Sequence, residues 1–457
     1  METLSCQEIV RAVSGTLLSG DINTVFNNVC TDSRNVKEGD IFVPLVGEKF
    51  DGHDYILPSF EKGALGSLTQ RDTKAFGDRI LIKVPDTLKA LRDLAAYYRQ
   101  KFNISFVGIT GSVGKTSTKD MVASVLQRGF RVHKTQGNFN NEIGVPLTVF
   151  GLDPSHEACV VEMGMSGFGE ISRLTSIVKP DIAIITNIGL SHVEKLGSKN
   201  NILKAKMEIL EGLNKRGLVI LNGDDSLLLG LKGLLSYRTV FYGLEEGMDY
   251  RGYNVESLGE QGSTFDINIG NREYNIKIPV PGLHNIYNAL AGIAAGIELG
   301  IPPEEIIKGI EEFVPGKMRL NIINHKGLKI INDVYNASPQ SMEAAINVLK
   351  EISAGSRTIA VLGDMLELGE ISEKAHFDVG KYAVSNGIDY VVAVGEYGDN
   401  TAGGAIDAGA KKENVFVFKN NVEAAGFLKD FLKLGDVLLV KGSRGMKMEE
   451  IVTVLTG

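Results

Sequence analysis

At 457 residues the chain is too long for one ordinary hydrophobic core, and about 150 residues per domain implies about three domains. A 43% hydrophobic and 23% charged composition with a net charge of −8 describes an ordinary soluble globular protein without the basic surplus that would neutralise a phosphate backbone, so no nucleic-acid partner is expected. Cys6, Cys30 and Cys159 are widely spaced and form no CxxC pair, which argues against a zinc site or disulfide framework, while the acidic, helix-spaced METLSCQEIVRAV start and the absence of a span-length apolar run point to a cytoplasmic protein with no membrane span.

Residues 1–100 begin with a helical pattern, continue through short strand-like runs (IFVPLVG, RILIKV) and end in a Leu/Ala/Tyr-rich helix over 88–102 that reads as a connector. From 104 the pattern changes to nearly continuous apolar strands (ISFVGIT, ACVVEMG, DIAIITNIG, GLVILNG) alternating with helical segments, the pattern of a buried parallel sheet with crossover helices. Period-two strands around Gly270 and Asn271 predict an antiparallel hairpin within 250–282, and a helix is expected over 284–299. Beyond the Pro-rich breaks, LKIIND, TIAVLGD, DYVVAVG and VLLVKG alternate with helices. The expected fold class is therefore α/β in three domains: 1–100, a central parallel-sheet domain over 101–315, and a doubly wound, Rossmann-like domain over 316–457.

Between the strand ISFVGIT and a helical run lies GITGSVGKT, in which Thr110, Gly111, Ser112, Val113, Gly114, Lys115 and Thr116 read as a phosphate-binding loop. Backbone N–H groups of such a turn face phosphate oxygens, the helix N-terminus favours negative charge, Lys115 reaches the β- and γ-phosphates, and the Thr116 hydroxyl is suited to Mg²⁺. The first glycine stands one position earlier than the strict spacing, so the match is to T-G-x-x-G-K-T; a ligand-free strand-to-helix turn is the competing reading. ATP is the expected nucleotide, because no guanine-selecting NKxD stretch occurs.

Glu162 ends the strand ACVVEMG, where a carboxylate at the carboxyl edge of a parallel sheet faces the phosphates and suits Mg²⁺. His192, after the next long strand in NIGLSH, is a second candidate metal ligand. An exposed strand-end glutamate and a structural loop histidine are the plainer alternatives.

The phosphate loop, EMG, NIGxxHxE and KAKMEIL occur in an order that resembles the Mur ligases and the related folate polyglutamylating synthetases, over nearly the whole chain. The resemblance implies that ATP phosphorylates a carboxylate and that an amine then attacks the acyl phosphate. It also implies that Thr116 and Glu162 ligate one Mg²⁺, while His192 and Lys206, carbamylated by CO2, serve a second; catalysis would rest on Lys115, His192 and Lys206. Asn288 in HNIYNA resembles a nucleotide-contacting residue, although a helix cap explains an Asn there equally well. Arg319 in GKMRL and Asp333 in NDVYNASP resemble third-domain residues that reach the phosphates and ribose. For Lys206 a solvated helix lysine, like Lys204 beside it, is the plain alternative.

Three segments narrow the subclass. Ser33 and Arg34 in TDSR, with GDIFVPLVGEKFDGHDYI, resemble a domain that binds the UDP-muramoyl substrate; a capped turn is the alternative. The loop TQGNFNNEIGVP, with Asn138, Asn140 and Asn141, resembles the D-alanyl-D-alanine-adding branch; in plain chemistry it is an amide-rich loop suited to a peptide or to a surface turn. DNPR, the amino-acid-reading motif of the diaminopimelate-adding branch, is missing, whereas LGDMLELGE and VKGSRGM are similar to the D-alanyl-D-alanine-adding group. The implied partners are UDP-N-acetylmuramoyl-tripeptide and D-alanyl-D-alanine, handled by a monomer. Another Mur-type or folylpolyglutamate-type ligase is the runner-up, and a nucleotide-switched P-loop ATPase is the alternative of another class. Whether the tripeptide ends in lysine or diaminopimelate is not legible.

Overall fold

In the computed structural model, residues 1–72 and 76–457 are described. They form two compact units: residues 1–110, 130–183 and 207–217 in the first, and 111–129, 184–206 and 218–457 in the second. No helix among the described residues is long and apolar enough to cross a membrane.

The first unit holds a five-stranded sheet in the order Thr16–Ser19, Ile80–Lys83, Gly66–Thr69, Asp40–Phe42, Asn28–Cys30. Its first pair is antiparallel and the rest are parallel. Ser105–Thr110, Ala158–Glu162 and Val132–Lys134 form a parallel ladder in the same unit. Ala158–Glu162 is buried along its whole length, which explains why it reads as an unbroken apolar run.

The helix expected as a connector, Thr87–Arg99, is also a core element. Asp86 caps it by accepting from Lys89 N, and Ala90, Leu91, Leu94, Ala95 and Tyr98 bury one face against the helices Gly144–Phe150 and Glu170–Val178. The Tyr98 hydroxyl donates to Leu152 O at 2.8 Å, and the Arg99 guanidinium lies over the Phe106 ring, 4.0 Å from its centroid. Burial of this depth, with a polar tip satisfied, gives the helix a fixed place.

In the second unit, Leu218–Asn222, Arg238–Gly243 and Tyr250–Ser257 run parallel, and Ser263–Ile269 and Arg272–Ile278 add the expected antiparallel hairpin. Gly270 takes φ +62° at its tip, a left-handed conformation that costs a glycine little. A six-stranded sheet follows, in the order Asn321–His325, Leu328–Asp333, Val437–Lys441, Thr358–Gly363, Tyr390–Val394, Val415–Phe418. Only its first pair is antiparallel, and separate apolar clusters, one with Ala360 and Leu439 and the other with Ile359 and Leu438, cover its two faces. Alternate residues facing opposite cores is the doubly wound arrangement that the strand and helix alternation predicts.

Candidate active site

The phosphate loop begins where the buried strand Ser105–Thr110 ends, and the helix Lys115–Leu126 starts after Gly114, which sits at φ +84°. A side chain at Gly111 (φ +150°) would overlap Thr186 Oγ1, so close approach of the next strand-end loop requires glycine there. That neighbouring loop clamps the turn: Ser112 N donates to Asn187 O (3.0 Å), Val113 N to Asn187 Oδ1 (2.9 Å), and Asn187 Nδ2 and Thr186 Oγ1 both donate to Val113 O. Two of the backbone donors expected to face phosphate are therefore held by Asn187, which lies within NIGLSH and has no role legible from the sequence. Lys115 Nζ folds back onto Gly111 O at 2.8 Å and Ser112 O at 3.3 Å. Among the described residues, the buried hydroxyls of Thr110 and Ser112 have no hydrogen-bond partner, as a loop built to receive a polar ligand would leave them.

Around the loop the second unit gathers several of the expected residues. Asn288 is buried inside the helix Leu283–Glu298 and accepts from Thr118 Oγ1 at 2.8 Å, which overturns the helix-cap alternative. The Arg319 guanidinium donates to Thr116 Oγ1 at 2.9 Å and stacks over Tyr335, 4.0 Å from the ring centroid. Lys206 is 1% exposed whereas Lys204 lies in solvent, so the two lysines of one helix face opposite environments. Burial first and the nearby Lys115 charge second hold the Lys206 ammonium well below its ordinary value, favouring the neutral amine.

His192 caps the short helix Val193–Leu196 with φ +63°, and its Nδ1 lies 2.7 Å from Glu367 Oε2. The hydrogen bond with His192 holds the Glu367 carboxyl below the usual carboxylate range. Glu367 belongs to LGDMLELGE; only contact in the folded chain reveals its role, because 175 residues of sequence separation hide it. In the first unit, Glu162 is 1% exposed and stands opposite Ile109 in the parallel ladder, level with the end of the strand that feeds the phosphate loop. The exposed strand-end alternative is thereby overturned.

The amide-rich loop is less convergent. Asn140 Nδ2 donates to Glu162 Oε1 at 2.7 Å, but Asn141 Oδ1 accepts from Ile143 N and Gly144 N just before the following helix, and Asn138 is exposed. Ser33 contributes a carbonyl to Lys62 Nζ, while the Arg34 side chain, 85% exposed, pairs with Asp32. Asp333 Oδ2 receives Lys441 Nζ at 2.5 Å.

No group of three or more His, Cys, Asp or Glu side chains among the described residues is placed to hold a metal ion by itself. A sparse protein donor set fits Mg²⁺, which keeps waters and takes phosphate oxygens, and a buried neutral lysine fits carbamate formation.

Comparison with known proteins agrees with this geometry. Residues 25–99 match the Mur ligase family catalytic domain, 109–296 the Mur ligase middle domain and 318–444 the Mur ligase glutamate ligase domain. The UDP-N-acetylmuramoyl-tripeptide--D-alanyl-D-alanine ligase of Bacillus subtilis is 42% identical, covering 98% of this chain and 97% of that relative. Its Escherichia coli counterpart of the same name is 34% identical over 100% of this chain and 99% of its own length. The crystal structure of MurF from Acinetobacter baumannii superposes with a TM-score of 0.93 at 32% identity, covering 100% of this chain and 99% of that one. That of MurF from Thermotoga maritima in complex with ADP gives 0.84 at 28% identity, covering 94% and 97%. With every segment matched in order and relatives aligned end to end, the chain belongs to the Mur ligase family.

Proposed function

We propose that this enzyme uses ATP to join D-alanyl-D-alanine to UDP-N-acetylmuramoyl-tripeptide in peptidoglycan precursor synthesis. End-to-end similarity to relatives that bear this name carries the reading. A tripeptide carboxylate oxygen attacks the γ-phosphorus, the bond to ADP breaks, and an acyl phosphate forms. The dipeptide amine then attacks the acyl carbon, loses a proton and expels phosphate. A carboxylate is a poor electrophile at neutral pH, and phosphorylation supplies its leaving group.

Thr116 and Glu162 would hold one Mg²⁺, and His192 with a carbamate on Lys206 a second; bound there, the ions offset anionic charge on the phosphates. Lys115 supplies a further positive charge. Asn288, Arg319 and Asp333 are assigned to the nucleotide, and Ser33, Arg34 and the 138–141 asparagines to the UDP-peptide and dipeptide. The domains are assigned as 1–100 for the UDP-muramoyl-peptide, 101–315 for ATP, and 316–457 for completing the ligase site. The reading places a monomer in the cytoplasm, and three buried free thiols support a reducing compartment.

The test is phosphate release with each component omitted in turn. Release is expected only with ATP, Mg²⁺, UDP-muramoyl tripeptide and D-alanyl-D-alanine together, and unchanged release without the dipeptide would refute the reading. In the same assay Lys206→Ala should lose at least about a hundredfold in rate, with partial rescue by formate or acetate, while Lys204→Ala behaves as wild type. Near-normal Lys206→Ala turnover would remove the carbamate from the site.

A further inference from the structure

The segment VKGSRGM takes no part in the site as assigned, yet it contains a lysine that is 2% exposed. A buried ammonium survives only where its charge and donors are matched. Lys441 ends the strand Val437–Lys441 and pairs in register with Asp333, the last residue of the parallel strand Leu328–Asp333. Its Nζ lies 2.5 Å from Asp333 Oδ2 and donates to Asn336 O at 2.9 Å.

The other oxygen of Asp333 faces a strained turn. Leu320 N donates to Asp333 Oδ1 at 3.2 Å, and Leu320 sits at φ +51°. Met318, two residues earlier, sits at φ +59°, so Arg319 is bracketed by two left-handed residues that are not glycine. Such conformations persist only where surrounding contacts over-determine them. Here Arg319 N donates to Asn321 Oδ1 at 3.1 Å, the guanidinium rests on Tyr335, and its tip meets Thr116 Oγ1.

We infer that Lys441 is a positioning residue for Arg319, acting through the Asp333 carboxylate and the Leu320 amide to hold the left-handed turn that presents the guanidinium to the phosphate loop. Lys441 Nζ is directed at Asp333 and Asn336, so its effect on Arg319 passes through the Asp333 carboxylate. An ion pair that merely stapled two strands would stabilise the sheet equally well but would not need the second carboxylate oxygen aimed at the Leu320 amide. The inference rests on the proposed assignment of Arg319 to the nucleotide.

The test uses the full-length enzyme and compares Lys441→Met, Lys441→Arg, Arg319→Ala and the Lys441→Met/Arg319→Ala double variant. ATP affinity is read by calorimetry, the Michaelis constants for both ATP and the UDP-tripeptide by turnover, and the turn by amide hydrogen exchange at Leu320. Lys441→Met should weaken ATP binding about tenfold, leave the UDP-tripeptide Michaelis constant unchanged and speed exchange at Leu320. Lys441→Arg should recover much of both losses, and the double variant should bind ATP no more weakly than Arg319→Ala alone, because both act on one contact. Wild-type ATP affinity and Leu320 exchange in folded Lys441→Met, beside a clear loss in Arg319→Ala, would overturn the inference. If Arg319→Ala itself binds ATP normally, the nucleotide assignment of Arg319 fails, and Leu320 exchange alone then decides whether Lys441 holds the turn. Should Lys441→Met not fold, Lys441→Gln, which keeps a donor but removes the charge, carries the test: weaker ATP binding with faster Leu320 exchange supports the relay, and wild-type values for both overturn it.

Discussion

His376 is buried with Met365 N donating to its Nε2 at 2.8 Å, and its Nδ1 lies 2.7 Å from Ser372 O. A ring that accepts at one nitrogen carries its proton on the other, so both contacts are met only by the neutral imidazole. Burial lowers its proton affinity, opposed in part by Ser372 O and the nearby Asp364 carboxylate. With the folded-state value below the unfolded one, the unfolded chain binds more protons as pH drops below about 6.5. Stability is therefore full above that pH and is lost as pH falls toward the folded value. Melting temperature should drop between about pH 8 and about pH 5, and His376→Gln should melt lower at pH 8 but show a shallower decline. A decline as steep in the variant would assign the effect to other groups. At this scale the sequence was informative about placement: Lys115 and Thr116 open the helix that follows the glycine turn, as the local spacing predicts. Lys206 was separable from Lys204 only by likeness to relatives; burial distinguishes them physically, and no local pattern encodes it. Asn187 and Glu367 act through partners 74 and 175 residues away, and nothing within a short window points to them.

The turn that carries Glu367 is an element built against another. Glu367 takes φ +64° and Gly369 φ +57°, and a side chain at Gly369 would come within 3.1 Å of Glu194 Cβ on the helix that His192 caps. Holding Nδ1 of a histidine fixes its tautomer and turns Nε2 outward for a ligand. Glu367→Ala should raise the Mg²⁺ concentration for half-maximal phosphate release by about 10-fold or more while ATP affinity changes little. A Mg²⁺ titration that superposes on wild type would show that the pair does not orient His192. Elements with strong periodicity were legible: the hairpin closes at Gly270 as its period-two flanks predict, and the apolar runs ISFVGIT, ACVVEMG and GLVILNG become parallel strands. The run IFVPLVG was less so, because only its Ile41 and Phe42 join the sheet, with Pro44 following where a ladder donor would be missing and Val46 making an isolated bridge to Asp51. That the helix Thr87–Arg99 is also a core element was not legible, because its apolar face has the same periodicity whether it packs on one core or links two.

At the scale of the whole molecule, the placing of that helix decides how the chain can be divided. A boundary near 100, natural from composition, would strip Tyr98 and Arg99 from groups that follow it: Leu152 O would lose the Tyr98 hydroxyl, Val178 O would lose Arg99 Nε (2.8 Å), and the Phe106 ring would lose its guanidinium cover. Tyr98 also packs its ring 5.7 Å from that of Phe150. Removing a buried aromatic of this kind typically costs about 3–5 kcal/mol, a large share of the stability of any domain. A chain beginning at Lys101 should therefore melt well below the full-length protein or fail to fold. A chain beginning at Asp86 keeps the helix with its capping carboxylate, and should fold and bind ATP while losing affinity for the UDP-muramoyl peptide, because TDSR and the five-stranded sheet are gone. Thermal melting compares the two shortened chains, and calorimetric titration with ATP and with UDP-muramoyl tripeptide reads the binding. Equal melting of both would show that the helix contributes nothing to the part after it. Unchanged UDP-peptide affinity in the folded Asp86 chain would move the substrate site out of the N-terminal segment and leave Ser33 and Arg34 as ordinary turn residues.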